Sequence, residues 1–404
     1  MIIRHRLSNF LLAAGLLLGV PASPARAEAS AETPAETFTL EFVYKADFVS
    51  PSSSNLLRKP AYLGNIELKL SVEGEQALGW RGASALLHLL SNHGARPNER
   101  FQTAQGVDNI EVADNAGKVY QAWVEQSFGA VRLLVGLFDL NSEFYVSEPA
   151  GVFVHPSFGV GADLSQSGRN GPSIFPTTSF VLRLAADGES GEYLLASVLD
   201  GVPGDPPRPR GTHVRFRPGD GTLSVVEGGW RLGAPEQIRG KVGFGLWRYS
   251  ATSDDLVDLD RSGRPIQHHN TGTYFVADQL LWSDPRIEAR RLAGFLRVGG
   301  ANRQVNQFTT AAALGLSLTA PFASRPNDVF GCGIAAEANS DKFRLAARAA
   351  GEPAPSSEVA LELTYRYALN DCLAVQPDLQ YVRNHGDPSV PNAALAALRV
   401  EISF

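Results

Sequence analysis

From residue 38 to residue 404 the chain is dominated by a period of two. Phe38, Leu40, Phe42, Tyr44 and Ala46 alternate with Thr39, Glu41, Val43, Lys45 and Asp47. Ile66, Leu68, Leu70 and Val72 alternate with Glu67, Lys69 and Ser71, and the same rhythm runs through 359–367 and 373–381. Two is the side-chain period of a β-strand, and each segment pairs an apolar face with one that carries full charges. No helical periodicity competes with it after Glu28. Strands are predicted over 38–48, 60–72, 79–91, 118–128, 130–139, 177–186, 192–200 and 221–232. The second half predicts 239–249, 273–282, 288–301, 311–320, 328–338, 357–368, 372–383 and 393–404. Sixteen is an even number, and about ten residues is the length a tilted strand needs to cross a bilayer.

The connections sort by parity. Every second one is short: Glu73–Leu78, Gly129, Asp187–Gly191, Gly233–Ile238, Ser283–Ile287, Pro321–Asn327 and Leu369–Asp371. Those between are mostly long: Val49–Lys59, Asn92–Gly117, Leu140–Pro176, Gly201–Asp220, Ser250–Gly272, Ala301–Thr310, Asn339–Ser356 and Asn384–Asn392. A soluble sandwich has no reason to segregate loop length in this way. A transmembrane antiparallel β-barrel of about sixteen strands does, with short periplasmic turns and long extracellular loops.

The N-terminus fits that setting. Arg4 and Arg6 precede an apolar run from Leu11 to Val20, and Ala25-Arg26-Ala27 offers a small-x-small cleavage site. Residues 1–27 are expected to be a secretory signal peptide, too short in their apolar run to span a bilayer, and residues 28–404 a single barrel domain. The last strand places Leu398, Val400, Ile402 and Phe404 on one face, an ending in an aromatic residue suited to barrel-insertion machinery. The destination expected is the outer membrane.

Composition narrows the function. Lys and Arg number 36 against 42 Asp and Glu, a formal −6, without the basic stripe of a nucleic-acid binder. The two cysteines, Cys332 and Cys372, cannot make a disulfide framework or a four-thiolate zinc site, and the predicted register puts them on opposite faces with a strand between. Gly-x-Ser-x-Gly, His-Glu-x-x-His and phosphate-binding loops are absent, so no catalytic residues are nominated. His88 with His93, and His268 with His269, lack a carboxylate or thiol at telling spacing; no metal or cofactor is expected.

Several stretches carry a family resemblance. Gly136-Leu-Phe-Asp-Leu-Asn-Ser-Glu-Phe144 resembles the Gly-x-Phe-Asp-x-Asn-x-x-Phe segment of OprB-type carbohydrate-selective porins, followed by Phe153 and Pro156-Ser-Phe158-Gly159. Gln105-Gly-Val-Asp-Asn-Ile-Glu111 is similar to an outer-loop segment of that family, and Glu358–Asn384 matches it most closely. The likeness runs in order through the chain after residue 27. It departs at Phe153-Val154-His155-Pro156 and at Asn384-His385-Gly386, both in loops, which leaves sugar preference open. The resemblance implies a sixteen-stranded barrel passing glucose-type monosaccharides by passive diffusion. A general or anion-favouring diffusion porin is the alternative, with an outer-membrane barrel enzyme or an adhesin behind it. The partners expected are small sugars, outer-membrane lipid and, through Phe404, the insertion machinery. Homotrimer and monomer both stay open.

Alternation nominates the pore lining. Glu67, Lys69, Trp123, Glu125, Arg132 and Arg183 fall on the polar face in the first half of the chain; Glu227, Lys241, Arg297, Glu362, Arg366, Asp378 and Arg399 do so in the second. Charged side chains around water offer donors and acceptors to sugar hydroxyls, and Trp123 offers a flat face to a sugar ring. Arg132 and Arg183 flank the longest loop, 140–176, and a guanidinium presents a fixed fork of donors to neighbouring hydroxyls. An empty sixteen-stranded lumen would be wide, so this loop is expected to fold inward and narrow it. Asp139, Asn141, Phe144, Phe153, Phe158 and Asp163 are its candidate constriction residues.

Overall fold

A computed structural model describes residues 37–52, 60–234 and 237–404. The segment expected to be a signal peptide, 1–27, lies outside the described residues, as do 53–59 of the first long loop and 235–236 of one short turn. Among the described residues, sixteen antiparallel strands pair each with the next, and the last with the first, into a closed barrel. The first eight are β1 (Phe38–Pro51), β2 (Ala61–Glu73), β3 (Ala83–Gly94), β4 (Gly117–Phe128), β5 (Val131–Phe138), β6 (Ser179–Asp187), β7 (Glu192–Asp200) and β8 (Thr222–Ala234). The others are β9 (Gln237–Leu259), β10 (Pro265–Ser283), β11 (Arg291–Ala301), β12 (Phe308–Thr319), β13 (Val329–Asn339), β14 (Ser357–Asn370), β15 (Leu373–His385) and β16 (Ala393–Ser403). No helix among the described residues is long and apolar enough to cross a membrane.

Closure removes the free edges that would otherwise attract another strand. The seam pairs Tyr44 with Ile402 and Asp47 with Arg399. Phe404 lies just beyond β16 and locks it: its N–H donates to the Phe42 carbonyl at 3.0 Å, its carbonyl accepts from Phe42 N–H at 2.7 Å, and the two rings stack at 4.9 Å.

Register separates the two faces. Leu40, Val124, Leu182, Phe244, Leu314, Leu363 and Leu398 point outward and are largely exposed, the apolar band a bilayer would cover. Short turns join the strands at the periplasmic rim and long segments at the other. Two segments depart from the sequence reading. Residues 250–272 form an extension of the β9–β10 hairpin, whose 23 and 19 residues project beyond the membrane-crossing length. Residues such as Ser253, Asp254, His268 and His269 give that extension no lipid-facing stripe, so alternation is invisible there. The other departure is a ten-residue helix, Asp341–Ala350, inside the β13–β14 loop. Ser340 caps it by accepting from Phe343 N–H at 3.1 Å, and Gly351 ends it in the left-handed conformation. Lys342 on this helix pairs with Asp258 at 2.8 Å and with Asp255, and so holds the hairpin to the rim.

Both cysteines are free; Cys332 faces outward from β13 and Cys372 sits in the β14–β15 turn. His88 and His93 occupy opposite faces of β3, with His88 Nε2 3.2 Å from Glu67 inside and His93 Nε2 2.9 Å from the Tyr62 hydroxyl outside.

Candidate functional site

After Phe138 the chain turns into the lumen, and the sheet tells it where to stop. A buried loop cannot satisfy its backbone N–H groups with neighbouring strands, so each needs another acceptor. Inward carboxylates on the wall supply them. Glu227 accepts from Tyr145 N–H at 2.8 Å, and Asp278 from Glu148 N–H at 3.1 Å and the Ser147 hydroxyl at 2.7 Å. Glu362 accepts from Val154 and His155 N–H at 2.7 and 2.9 Å, and Glu337 from Ala162 N–H at 3.1 Å. Arg297 works in the opposite sense and donates to the Ser157 and Gly159 carbonyls. Such charge-assisted bonds are about twice as strong as neutral ones, which suits the burial of a forty-residue connection.

Aromatic packing seats the same loop. Tyr145 stacks on Tyr274 of β10 at 4.0 Å, and Phe153 stacks on Phe158 at 4.2 Å with Phe295 of β11 set edgewise against both. Close approach depends on missing side chains in the wall. A Cβ at Gly333 would lie 2.7 Å from the Phe158 ring, and one at Gly299 would lie 2.2 Å from the Asp163 carboxylate. Phe144, Phe153 and Phe158 are each at most 2 % exposed. They therefore fasten the loop to the wall and do not face the passage, which corrects their reading as constriction residues.

The connection between β3 and β4 also enters the lumen, which sequence reasoning missed by treating it as an ordinary outer loop. Glu358 accepts from Ala104 and Gln105 N–H at 2.8 and 3.0 Å. Arg399 makes a two-pronged pair with Asp47 and donates to Asn109 at 2.7 Å. Asn109 then bonds the Phe153 carbonyl at 3.1 Å, so the two inserted loops hold one another. Burial raises the Asp163 carboxyl to about 7 and lowers the His155 imidazole to about 3, so the latter stays neutral inside the packed loop. Burial also lifts Asp139, which accepts from Asn141 N–H at 2.9 Å, to about 6. Asn141 in turn donates to the Phe144 carbonyl.

The nominated lining residues all lie on the inward face but divide into two groups. Glu227, Arg297, Glu362, Asp378 and Arg399 are buried beneath loops or neighbours. Arg183 is also buried, its guanidinium committed to Glu125 at 2.5 Å and Glu143 at 2.7 Å. The free fork of donors expected of Arg183 is thus occupied. Water reaches Lys69, Glu67, Glu125, Arg132 and Arg366, and Trp123 is half-buried. Lys241 keeps partial exposure 3.5 Å from Glu227.

Every water-facing cation in this second group has a carboxylate beside it. Glu67 lies 3.7 Å from Lys45 and 3.5 Å from Lys69, Arg132 lies 2.5 Å from Asp187 and 3.8 Å from Glu125, and Arg366 lies 2.8 Å from Glu401. The lumen therefore has a covered wall, with loop-holding bonds on β8, β10, β11, β13 and β14, and an open wall of compensated charges on β1, β2, β4, β5 and the inner ends of β14 and β16. Lys45, Asp278, Glu337, Glu358 and Glu401 escaped nomination, although each sits at an inward position of its strand and carries the same signal.

A closed membrane barrel whose charged lumen is narrowed by inserted loops has the build of a porin. The model of the "Carbohydrate-selective porin, OprB family" matches residues 58–404, and the chain belongs to that family of outer-membrane proteins. Porin B of Pseudomonas aeruginosa is 25 % identical to it, in an alignment that covers 89 % of this chain and 87 % of that protein. Among solved structures, the high-pH structure of Pseudomonas putida OprB superposes with a TM-score of 0.77 at 20 % identity, covering 91 % of this chain and 94 % of that one. An anion-selective porin from Comamonas acidovorans shares the fold at a TM-score of 0.53 and 10 % identity, over 91 % of this chain and 99 % of its own.

Proposed function

We propose that the barrel passes small neutral sugars of the glucose type by passive diffusion along its open wall. The observation that carries this reading is the charge compensation there: donors and acceptors abound, and Lys45, Lys69, Arg132 and Arg366 each have a carboxylate within 4 Å, which offsets the field that would favour anions. A sugar exchanges hydrogen bonds with Lys69, Glu67, Glu125, Arg132 and Arg366 and lays its ring against Trp123. Each bond is worth about 1–3 kcal/mol at most in net terms, weak enough for release. The loop on the covered wall narrows the lumen so that a solute must touch these groups. Assembly proceeds through the last strand, with Phe404 as the residue the insertion machinery engages. Trimer and monomer are both compatible with this pore.

Planar-bilayer recording tests the reading. Glucose should reduce the KCl current, and the reversal potential in a KCl gradient should stay near zero. An anion-favouring reversal potential with no glucose block would replace it with the general or anion-favouring porin.

A further inference from the structure

The β7–β8 loop, residues 201–221, behaves differently from the two inserted loops: part of it runs along the outside of the barrel. β5 pairs with β4 only as far as Ala122 and Leu137, so the outer end of β4 lacks a strand on that side. Thr212 bonds there instead, accepting from Val119 N–H at 2.7 Å and donating to the Val119 carbonyl at 3.1 Å. Four residues on, Phe216 sets its ring edgewise against Phe180, 6.1 Å between centroids. Phe180 belongs to the outward, lipid-facing row of β6, and Phe216 itself is 68 % exposed. An apolar ring so placed at the outer end of a membrane strand faces the acyl chains of the outer leaflet.

Arg208, Arg210, Arg215 and Arg217 lie within eight residues of that aromatic along the loop, in a chain whose formal charge is −6. Arg215 and Arg217 are held by the buried carboxylate of Asp205, at 3.3 and 2.5 Å. Arg208 and Arg210, in Pro207-Arg-Pro-Arg210, are exposed, and the carboxylate beside Arg210, Asp114, is 3.8 Å away and itself partly exposed. Pro207 and Pro209 flank these two exposed arginines, eight and six residues before Phe216 in the same loop. A planar guanidinium matches phosphate with two parallel bonds, and apolar residues beside basic ones are how proteins grip an anionic lipid surface.

We propose that this loop is a binding site for phosphorylated lipid headgroups of the outer leaflet. Arg208 and Arg210 take the phosphate, while Phe216 seats in the acyl chains against Phe180. The bound lipid also covers the outer end of β4 where its strand pairing stops.

Native mass spectrometry of the detergent-solubilised barrel, titrated with diphosphoryl lipid A, tests this. The wild-type barrel should retain diphosphoryl lipid A and shed its dephosphorylated form. The Arg208→Gln/Arg210→Gln double variant should bind the phosphorylated lipid about tenfold more weakly or worse, and Phe216→Ser should weaken it as well. Inorganic phosphate should compete poorly, since it lacks the acyl chains. Heat-modifiable gel mobility and glucose block should match wild type in the double variant, which shows that the barrel is intact. Equal retention of both lipids, undiminished binding by the double variant, or inorganic phosphate binding as tightly as lipid would overturn the proposal. So would loss of self-association in the double variant with lipid binding intact, which would make the loop a contact between copies.

Discussion

On β1 and β2 the inward face reads Glu41, Lys45, Glu67 and Lys69; on β6 to β8 it reads Val181, Leu195, Leu199 and Val225, with Arg183 and Glu227 buried among them. The first wall meets water and keeps its charges in partly exposed pairs. The second meets an inserted loop, so apolar groups pack against Phe144, Tyr145 and Leu164 while its few carboxylates capture loop amides. The same residue type thus has two jobs, decided by what covers it. A carboxylate under the loop is an anchor whose removal orphans buried donors. One facing water, in a partly exposed ion pair, contributes little to stability.

The sharpest way to break this contrast is on the covered side. Glu227 serves Tyr145 N–H and the hydroxyls of Tyr193 and Tyr274. Glu227→Ala leaves three donors without an acceptor, at about 1–3 kcal/mol each where no water enters. Amide hydrogen exchange across 140–176 should accelerate strongly while that of the β1–β4 strands stays as in wild type. Uniform acceleration would mean that Glu227 supports the barrel and not the loop.

A smaller effect should come with pH. Asp163 lies in the inserted loop, and its folded value of about 7 stands above the ordinary carboxyl value. A carboxyl raised on folding adds stability below its unfolded value near 3.8 and loses that contribution as pH rises to the folded value. Loop protection should therefore decline between about pH 4 and pH 7, and Asp163→Asn should flatten the decline. A loop that grows more protected over that interval would contradict the assignment.

The smallest change in stability is expected on the open wall. Lys69 and Arg132 are about one third exposed, at 30 % and 32 %, and their ion pairs are screened by water. Lys69→Ala/Arg132→Ala should alter thermal unfolding by no more than about 1 kcal/mol per pair. Glucose block of the current should nevertheless weaken several-fold. A large loss of stability with block unchanged would erase the distinction between the walls.

The strands were legible because lipid imposes a strict alternation; fourteen fall close to their predicted spans, while β9 and β10 run on well past theirs into the shared hairpin. Where lipid is absent the signal fades: the tip of the β9–β10 hairpin mixes Asp254, Asp255, Asp258 and Asp260 with Leu256, Val257 and Leu259 in no alternating order, and Asp341–Ala350 is a single ten-residue run inside a long loop, with Ser340 and Gly351 marking its ends. The site was half legible. Alternation told inward from outward, but inward is not the same as water-facing, and no local pattern says which inward groups a loop will cover. One clue was present. Phe180-Val181-Leu182 and Tyr193-Leu194-Leu195 are apolar on both faces, as strands covered on both sides are. That run marks the seat of the 140–176 loop, and reading it would have reassigned Arg183 and Glu227 from lining to anchoring.

The central claim is that the docked loop sets the width of the passage while the open wall meets the solute. Single-channel recording of Glu227→Ala beside Lys69→Ala/Arg132→Ala tests both halves at once. The account predicts higher conductance and lost glucose block in the first, and near wild-type conductance with weakened block in the second. Unchanged conductance and block in Glu227→Ala, with its loop shown to be released by hydrogen exchange, would contradict it.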